Sequence, residues 1–114
     1  MSLAELKDRQ ATLATKMLKV PVNESASGDK IIWAIQPGKL FYVYGIWLRA
    51  EGAVAITWKS GSTAITGAIT LANAEVKSVF QEIPILKGRA KGDDLVLSLS
   101  LSVGVRGWVT LTEV

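Results

Sequence analysis

Apolar and polar positions alternate most clearly just after the middle of the chain. Val54, Ile56 and Trp58 share one parity; Ala55, Thr57 and Lys59 share the other. That period of two predicts a strand with one buried and one wetter face. Ser60-Gly61-Ser62-Thr63 supplies turn chemistry, with Gly61 adopting a backbone conformation that a side chain disfavours. Ile65 to Leu71 returns to the apolar pattern, so the stretch reads as a hairpin that sets sheet register and anchors Trp58 in the core. Leu95, Leu97, Leu99 and Leu101 alternate with Val96, Ser98, Ser100 and Ser102 in the same way. Further strands are expected at Lys30–Gln36, with Ile31, Trp33 and Ile35 on one face, and at Val76–Ile83, which Pro84 breaks. A last strand around Trp108–Thr112 follows a break in register at Gly104 or Gly107.

One segment departs from alternation. From Lys39 to Ala50 both parities are apolar, with Leu40, Tyr42, Tyr44, Ile46 and Leu48 against Phe41, Val43 and Trp47. Such a strand is ordinarily covered on both faces. The opposite sheet supplies one cover; the other falls to the N-terminal segment or to a neighbouring subunit. Phe41, Val43 and Trp47 are therefore the expected subunit contact. Seven or eight short strands, with turn signals roughly every 8–12 residues, indicate a sandwich or barrel. With no crossover helix the sheets should be antiparallel. The expectation is an all-β fold, an antiparallel β-sandwich of jelly-roll or Greek-key type over residues 28–114, preceded by a short N-terminal α-helix.

Residues 1–27 carry a different pattern. Ser2-Leu3-Ala4-Glu5 reads as a capping box, and good helix formers continue to Lys19. Leu3, Leu6, Gln10, Leu13, Met17 and Val20 recur at spacings of three and four, a short heptad seam. Three destinations are open for it: the chain's own β-domain, a self-associating bundle, or another protein. Pro21 is expected to end the helix, and Asn23 to Gly28 to form a polar linker, making arm and β-domain separable units.

Composition narrows the chemistry. The 114 residues include no Cys and no His, which removes thiolate nucleophiles, Ser-His-Asp triads and His- or Cys-bound zinc. It also leaves the redox compartment open. No leader pattern shows in the mixed charges of the first twenty residues. The longest uncharged apolar run, Leu40 to Leu48, is far short of the ~20 residues of a spanning helix, so a soluble protein with no membrane partner is expected. A net charge of +3 favours an anionic partner only if the charges cluster. Lys87, Arg89 and Lys91 form the densest cluster, though Asp93 and Asp94 beside them favour a solvated loop. Gly88 and Gly92 lack the Gly-Lys-Ser/Thr ending of a phosphate loop.

Asp93-Asp94 with Glu75 or Glu82 has no calcium-loop spacing, and nothing pairs these acids as a glycosidase would need. They read as turn acids, with no cofactor, no metal and no enzymatic activity expected. Trp33 and Trp58 lie on core parities. Trp47 and Trp108 share parities with polar residues and are expected at the surface, in a protein interface ahead of a sugar-stacking platform. An OB-fold nucleic-acid binder fits less well, since the strand count is too high and the helix is misplaced.

Trp58-Lys59-Ser60-Gly61-Ser62-Thr63-Ala64-Ile65-Thr66-Gly67-Ala68-Ile69 resembles small β-sandwich modules of tailed-phage virions. Ser27-Gly28-Asp29, the Pro37-Gly38-Lys39 turn before a long apolar strand, and the closing Leu-Ser-Leu-Ser strand resemble them too. The resemblance covers Ser27 to Val114 and leaves out the arm. It implies a capsid decoration (cement) or head-fibre type protein, located in the virion after assembly in the host cytoplasm. It also implies a homo-oligomer, with a trimer favoured. The partner would be the major capsid protein or another virion structural protein, with no nucleic acid. A carbohydrate-binding or fibre-associated module is the alternative. No catalytic residue carries over.

Overall fold

The computed structural model describes residues 17–114. Ten strands occupy them: β1 (Leu18–Glu24), β2 (Gly28–Trp33), β3 (Phe41–Ala50), β4 (Val54–Ser60), β5 (Thr63–Ala64), β6 (Ile69–Leu71), β7 (Val76–Phe80), β8 (Leu86–Lys87), β9 (Leu95–Leu99) and β10 (Val105–Glu113). Every pairing is antiparallel. One sheet runs β1-β10-β3-β7, with β8 also on β3; the other runs β2-β9-β4-β5, with β6 also on β4. The two sheets enclose a shared apolar core, in which Val22, Leu48, Val105, Val109 and Leu111 of the first meet Ile56, Trp58, Leu95, Leu97 and Leu99 of the second.

The expected helix falls largely on residues 1–16, outside the described residues, and so do Leu3, Leu6, Gln10 and Leu13. Its C-terminal end is corrected. Residues 18–24, expected as the last helical turn, a stop at Pro21 and the start of a linker, form strand β1 along β10. Val20 and Val22 alternate inward and are buried, so this segment is part of the sandwich. Pro21 is tolerated because β1 is an edge strand, where no neighbour needs the missing N–H.

The two-sided apolar pattern of β3 also has a different cause from the one expected. Thr110 pairs with Gly45 and Leu111 with Val43, leaving Tyr44 as the extra residue of a β-bulge. The bulge switches parity. Phe41 and Val43 point inward before it; Ile46, Leu48 and Ala50 point inward after it. Much of the apolar content on the supposed second face thus belongs to the one core. Phe41 and Val43 are 0% exposed, which leaves them no surface for a subunit contact. Of the two glycines expected to break the register before the last strand, Gly104 immediately precedes β10, while Gly107 lies inside it, opposite Leu48 and Val22.

Polar side chains hold the end of the sandwich. The buried Ser60 hydroxyl donates to Asp93 Oδ2 at 2.9 Å and accepts from the Arg89 N–H at 2.8 Å. Asp94 Oδ1 accepts from the Ile35 N–H at 2.9 Å. Gly61, at φ +59°, turns the chain from β4 into β5, with its N–H bound to the Asp94 carbonyl. Asp93 and Asp94 are therefore structural acids tying β4, the β8–β9 loop and the end of β2 together. Trp33 is partly buried, its indole N–H donating to Glu113 Oε1 at 3.1 Å.

Candidate functional site: the outer face of the first sheet

Outward residues of β1, β10, β3 and β7 line up in three rows across the sheet. Lys19, Thr110, Gly45 and Phe80 form one; Pro21, Trp108, Trp47 and Ser78 the next; Asn23, Arg106, Arg49 and Val76 the third. The strand order places two tryptophans directly opposite each other, and their rings stack with centroids 4.7 Å apart and planes 10° from parallel. Such a pair contributes roughly 0.5–1.5 kcal/mol beyond the area it buries. Lys19 Nζ lies 4.4 Å from the Trp108 ring centroid and caps the face that Trp47 leaves open.

Beside the stack, the space a side chain would take at Gly45 is filled by its neighbours. A Cβ there would lie 2.5 Å from Thr110 Oγ1 and 2.7 Å from the Phe80 ring. The glycine thus lets Phe80 lie down on β3 while that ring stays 61% exposed. Trp47, Trp108, Phe80, Thr110 and Gly45 line a cleft of about 120 Å³. Thr110 Oγ1 is buried and has no hydrogen-bond partner among the described residues.

The face is also cationic. Lys19, Arg49, Arg106 and Lys87 point outward from it, Lys87 standing opposite Tyr42 with its Nζ 5.8 Å from that ring. Arg106 is engaged by Glu51 at 3.0 Å, an exposed pair that offsets one of these charges. The other outer face has a different character. Asp29, Ser98 and Thr57 line up on it, and Lys59 holds Asp29 at 3.1 Å. Hydrogen bonds from Lys59 and Ser98 keep the Asp29 carboxyl below its ordinary value of 3.8. A trough of about 360 Å³ near the Gly61 turn adjoins that face, but its carboxylates, Asp29 and Asp94, are already engaged. Among the described residues no cluster of acids could hold a metal.

Neither a known family model nor a curated protein matches this chain. A solved structure does. The chain is similar to a structure reported as Bacillus endospore appendages that form a novel family of disulfide-linked pili, at 20% identity and a TM-score of 0.52. The match covers 85% of this chain and 84% of that one. At that identity the likeness is one of fold. This sequence has no cysteine with which to form such a disulfide link.

The expected site residues divide accordingly. Trp47 and Trp108 are on the surface, and the structure joins them in one stack. Met17 is partly buried just ahead of β1, and Val20 belongs to the core. Lys87 stands on the aromatic face, while Arg89 and Lys91 are exposed in the loop beyond it. Lys19, Gly45, Phe80 and Thr110 were not foreseen. Only the cross-strand register brings them together, although a lone glycine within a strand does signal a bulge or close approach.

Proposed function

We propose that this protein is a non-enzymatic structural module, a tailed-phage virion protein of the decoration or cement type, which binds a capsid lattice through the outer face of its first sheet. The observation that carries the reading is the contrast between its two outer faces. One carries the Lys59–Asp29 pair beside Ser98 and Thr57, with Ile31 exposed on it; the other presents stacked tryptophans, an exposed phenylalanine and several cations, of which Arg106 is paired with Glu51. Aromatic residues and arginine are enriched at protein interfaces, whereas lysine is depleted there and fits a rim role. Many copies on a repeating shell need only a modest contact each, because simultaneous engagement multiplies their effect.

The fold is read as a jelly roll. The order β1-β10-β3-β7 against β2-β9-β4-β5, with β6 also on β4 and consecutive strands falling in opposite sheets at β1/β2, β3/β4 and β9/β10, supports this. A similar fold in pili is in keeping with use as a repeated building block, joined here without thiols. A sugar platform fits the face less well, since stacking on a sugar needs an open ring face. Trp108 is sandwiched between Trp47 and Lys19.

Cosedimentation with purified capsids lacking the protein tests the proposal. The wild type should pellet with them, and Trp47→Ser/Trp108→Ser should stay in solution. Equal pelleting of both would reject this face, and no pelleting of either would reject the virion role. Analytical ultracentrifugation tests the proposed trimer; a clean monomer at micromolar concentration would reject it.

A further inference from the structure

The cleft over Gly45 narrows the chemistry of what this face binds. Its volume of about 120 Å³ is well below the ~300–1,000 Å³ of small-molecule pockets, and suits one aliphatic side chain. Its walls are the edges of the tryptophan stack and the exposed Phe80 ring. At its floor the Thr110 hydroxyl is buried and has no hydrogen-bond partner among the described residues.

Charge flanks the cleft along β3. The outward order is Tyr42 with Lys87 beside it, then Gly45, Trp47 and Arg49. Lys87 and Arg49 therefore stand at opposite ends, about 20 Å apart at ~3.3 Å per residue. Lys19 adds a third cation at the β1 edge, in the same row as Thr110 and Gly45. Glu51, just past the end of β3, is paired with Arg106.

We propose that this cleft takes an extended acidic segment of a protein partner, with one aliphatic side chain seated between Phe80 and the tryptophan pair and carboxylates on either side reaching Lys87 and Arg49. The inference rests on the reading of this face as the docking surface and specifies its ligand. Cations at both ends give the segment its charge requirement. The small apolar slot, which admits one side chain, and the covering of Trp108 by Trp47 and Lys19 favour a peptide over a nucleic acid or a polysaccharide.

The test uses the full chain and short synthetic peptides with glutamates flanking a single central leucine, followed by NMR of the indole and backbone amide signals. The parent peptide should shift the Trp47 and Trp108 indole signals and the Gly45 and Phe80 amides. Replacing its leucine by serine, or its glutamates by glutamine, should each weaken binding by about tenfold or more, and binding should fall with added salt. Arg49→Glu/Lys87→Glu, both at exposed positions, should weaken the parent peptide similarly while leaving the free protein's spectrum otherwise unchanged. Thr110→Val makes the floor wholly apolar, so the leucine peptide should bind at least as tightly without the protein unfolding, and a loss of binding would contradict an aliphatic occupant.

Equal binding of all the peptides, shifts confined to the Asp29–Thr57 face, or no binding at millimolar peptide would overturn the proposal. Tighter binding of single-stranded DNA or a sulfated polysaccharide at the same residues would overturn it too. If no peptide binds but the protein still pellets with capsids, this inference fails and the virion reading stands. If the peptide binds but the protein does not pellet with capsids, the inference holds and the virion reading fails.

Discussion

Replacing Gly107 by alanine places a methyl group against the backbone of the neighbouring strand. Gly107 sits inside β10 at φ +155°, and a Cβ there would overlap the Trp47 carbonyl oxygen, with the carbonyl carbon at 2.8 Å and the Leu48 Cα at 3.0 Å. Those atoms are main chain in the middle of a sheet, so no side-chain rotation relieves the contact. Overpacking of this kind costs about 1–3 kcal/mol, and holding a non-glycine residue at this positive φ adds roughly 1–3 kcal/mol. The alanine's smaller unfolded-state entropy offsets about 0.4–1 kcal/mol. Mid-range values give a net loss of about 3 kcal/mol, a large share of the ~5–15 kcal/mol that holds a domain together.

At roughly 4–8 °C per kcal/mol for a domain near this size, Tm should fall by about 10–25 °C. Thermal and urea unfolding followed by tryptophan fluorescence read it directly. Gly67→Ala is the control, because its Cβ meets nothing within 4 Å. A Gly107→Ala protein melting within about 2 °C of wild type, on the scale of that same relation, would refute the close approach of β10 to β3.

Three further outcomes follow from single contacts. Ser60→Ala strips partners from both Asp93 and the Arg89 N–H, and should cost about 1–3 kcal/mol in urea unfolding. An unchanged midpoint would show that the hydroxyl ties nothing. Thr110→Val removes a buried, unpartnered hydroxyl and should raise stability by about 1 kcal/mol, measured the same way; a loss would mean the hydroxyl has a partner in solution. Asp29 titrates below 3.8 when folded, so its contribution is complete above that value and disappears as pH falls through the lower folded value. Wild type should therefore lose stability in that window relative to Asp29→Asn, and parallel acid-unfolding profiles would contradict the pairing with Lys59.

Period-two alternation was enough to place β4 and β9, because Val54, Ile56 and Trp58 and Leu95, Leu97 and Leu99 face the core, while the alternate positions, Val96 apart, are partly exposed. It put Trp58 inside and Trp47 and Trp108 outside. It misled at β3, where one extra residue at Tyr44 moves the inward set from odd to even positions and imitates a strand buried on both sides. β1 was hidden for another reason. Leu18, Lys19 and Pro21 are locally compatible with a helix end, and only pairing with β10, far along the chain, makes them a strand. Ile31 shows the same limit: it shares a parity with the buried Ile35, yet it is 61% exposed because β2 shifts register against β9 between Ile31 and Trp33. The site was half legible. Its tryptophans could be placed on a surface, but the cleft beside them depends on which residues face each other across β1, β10, β3 and β7.

Which outer face docks can be read by hydroxyl-radical footprinting of the protein, free and bound to capsids. Trp47, Trp108 and Phe80 should become protected on binding, while Ile31 on the opposite outer face keeps its reactivity. Protection of Ile31 with Trp47, Trp108 and Phe80 unchanged would contradict docking through the first sheet.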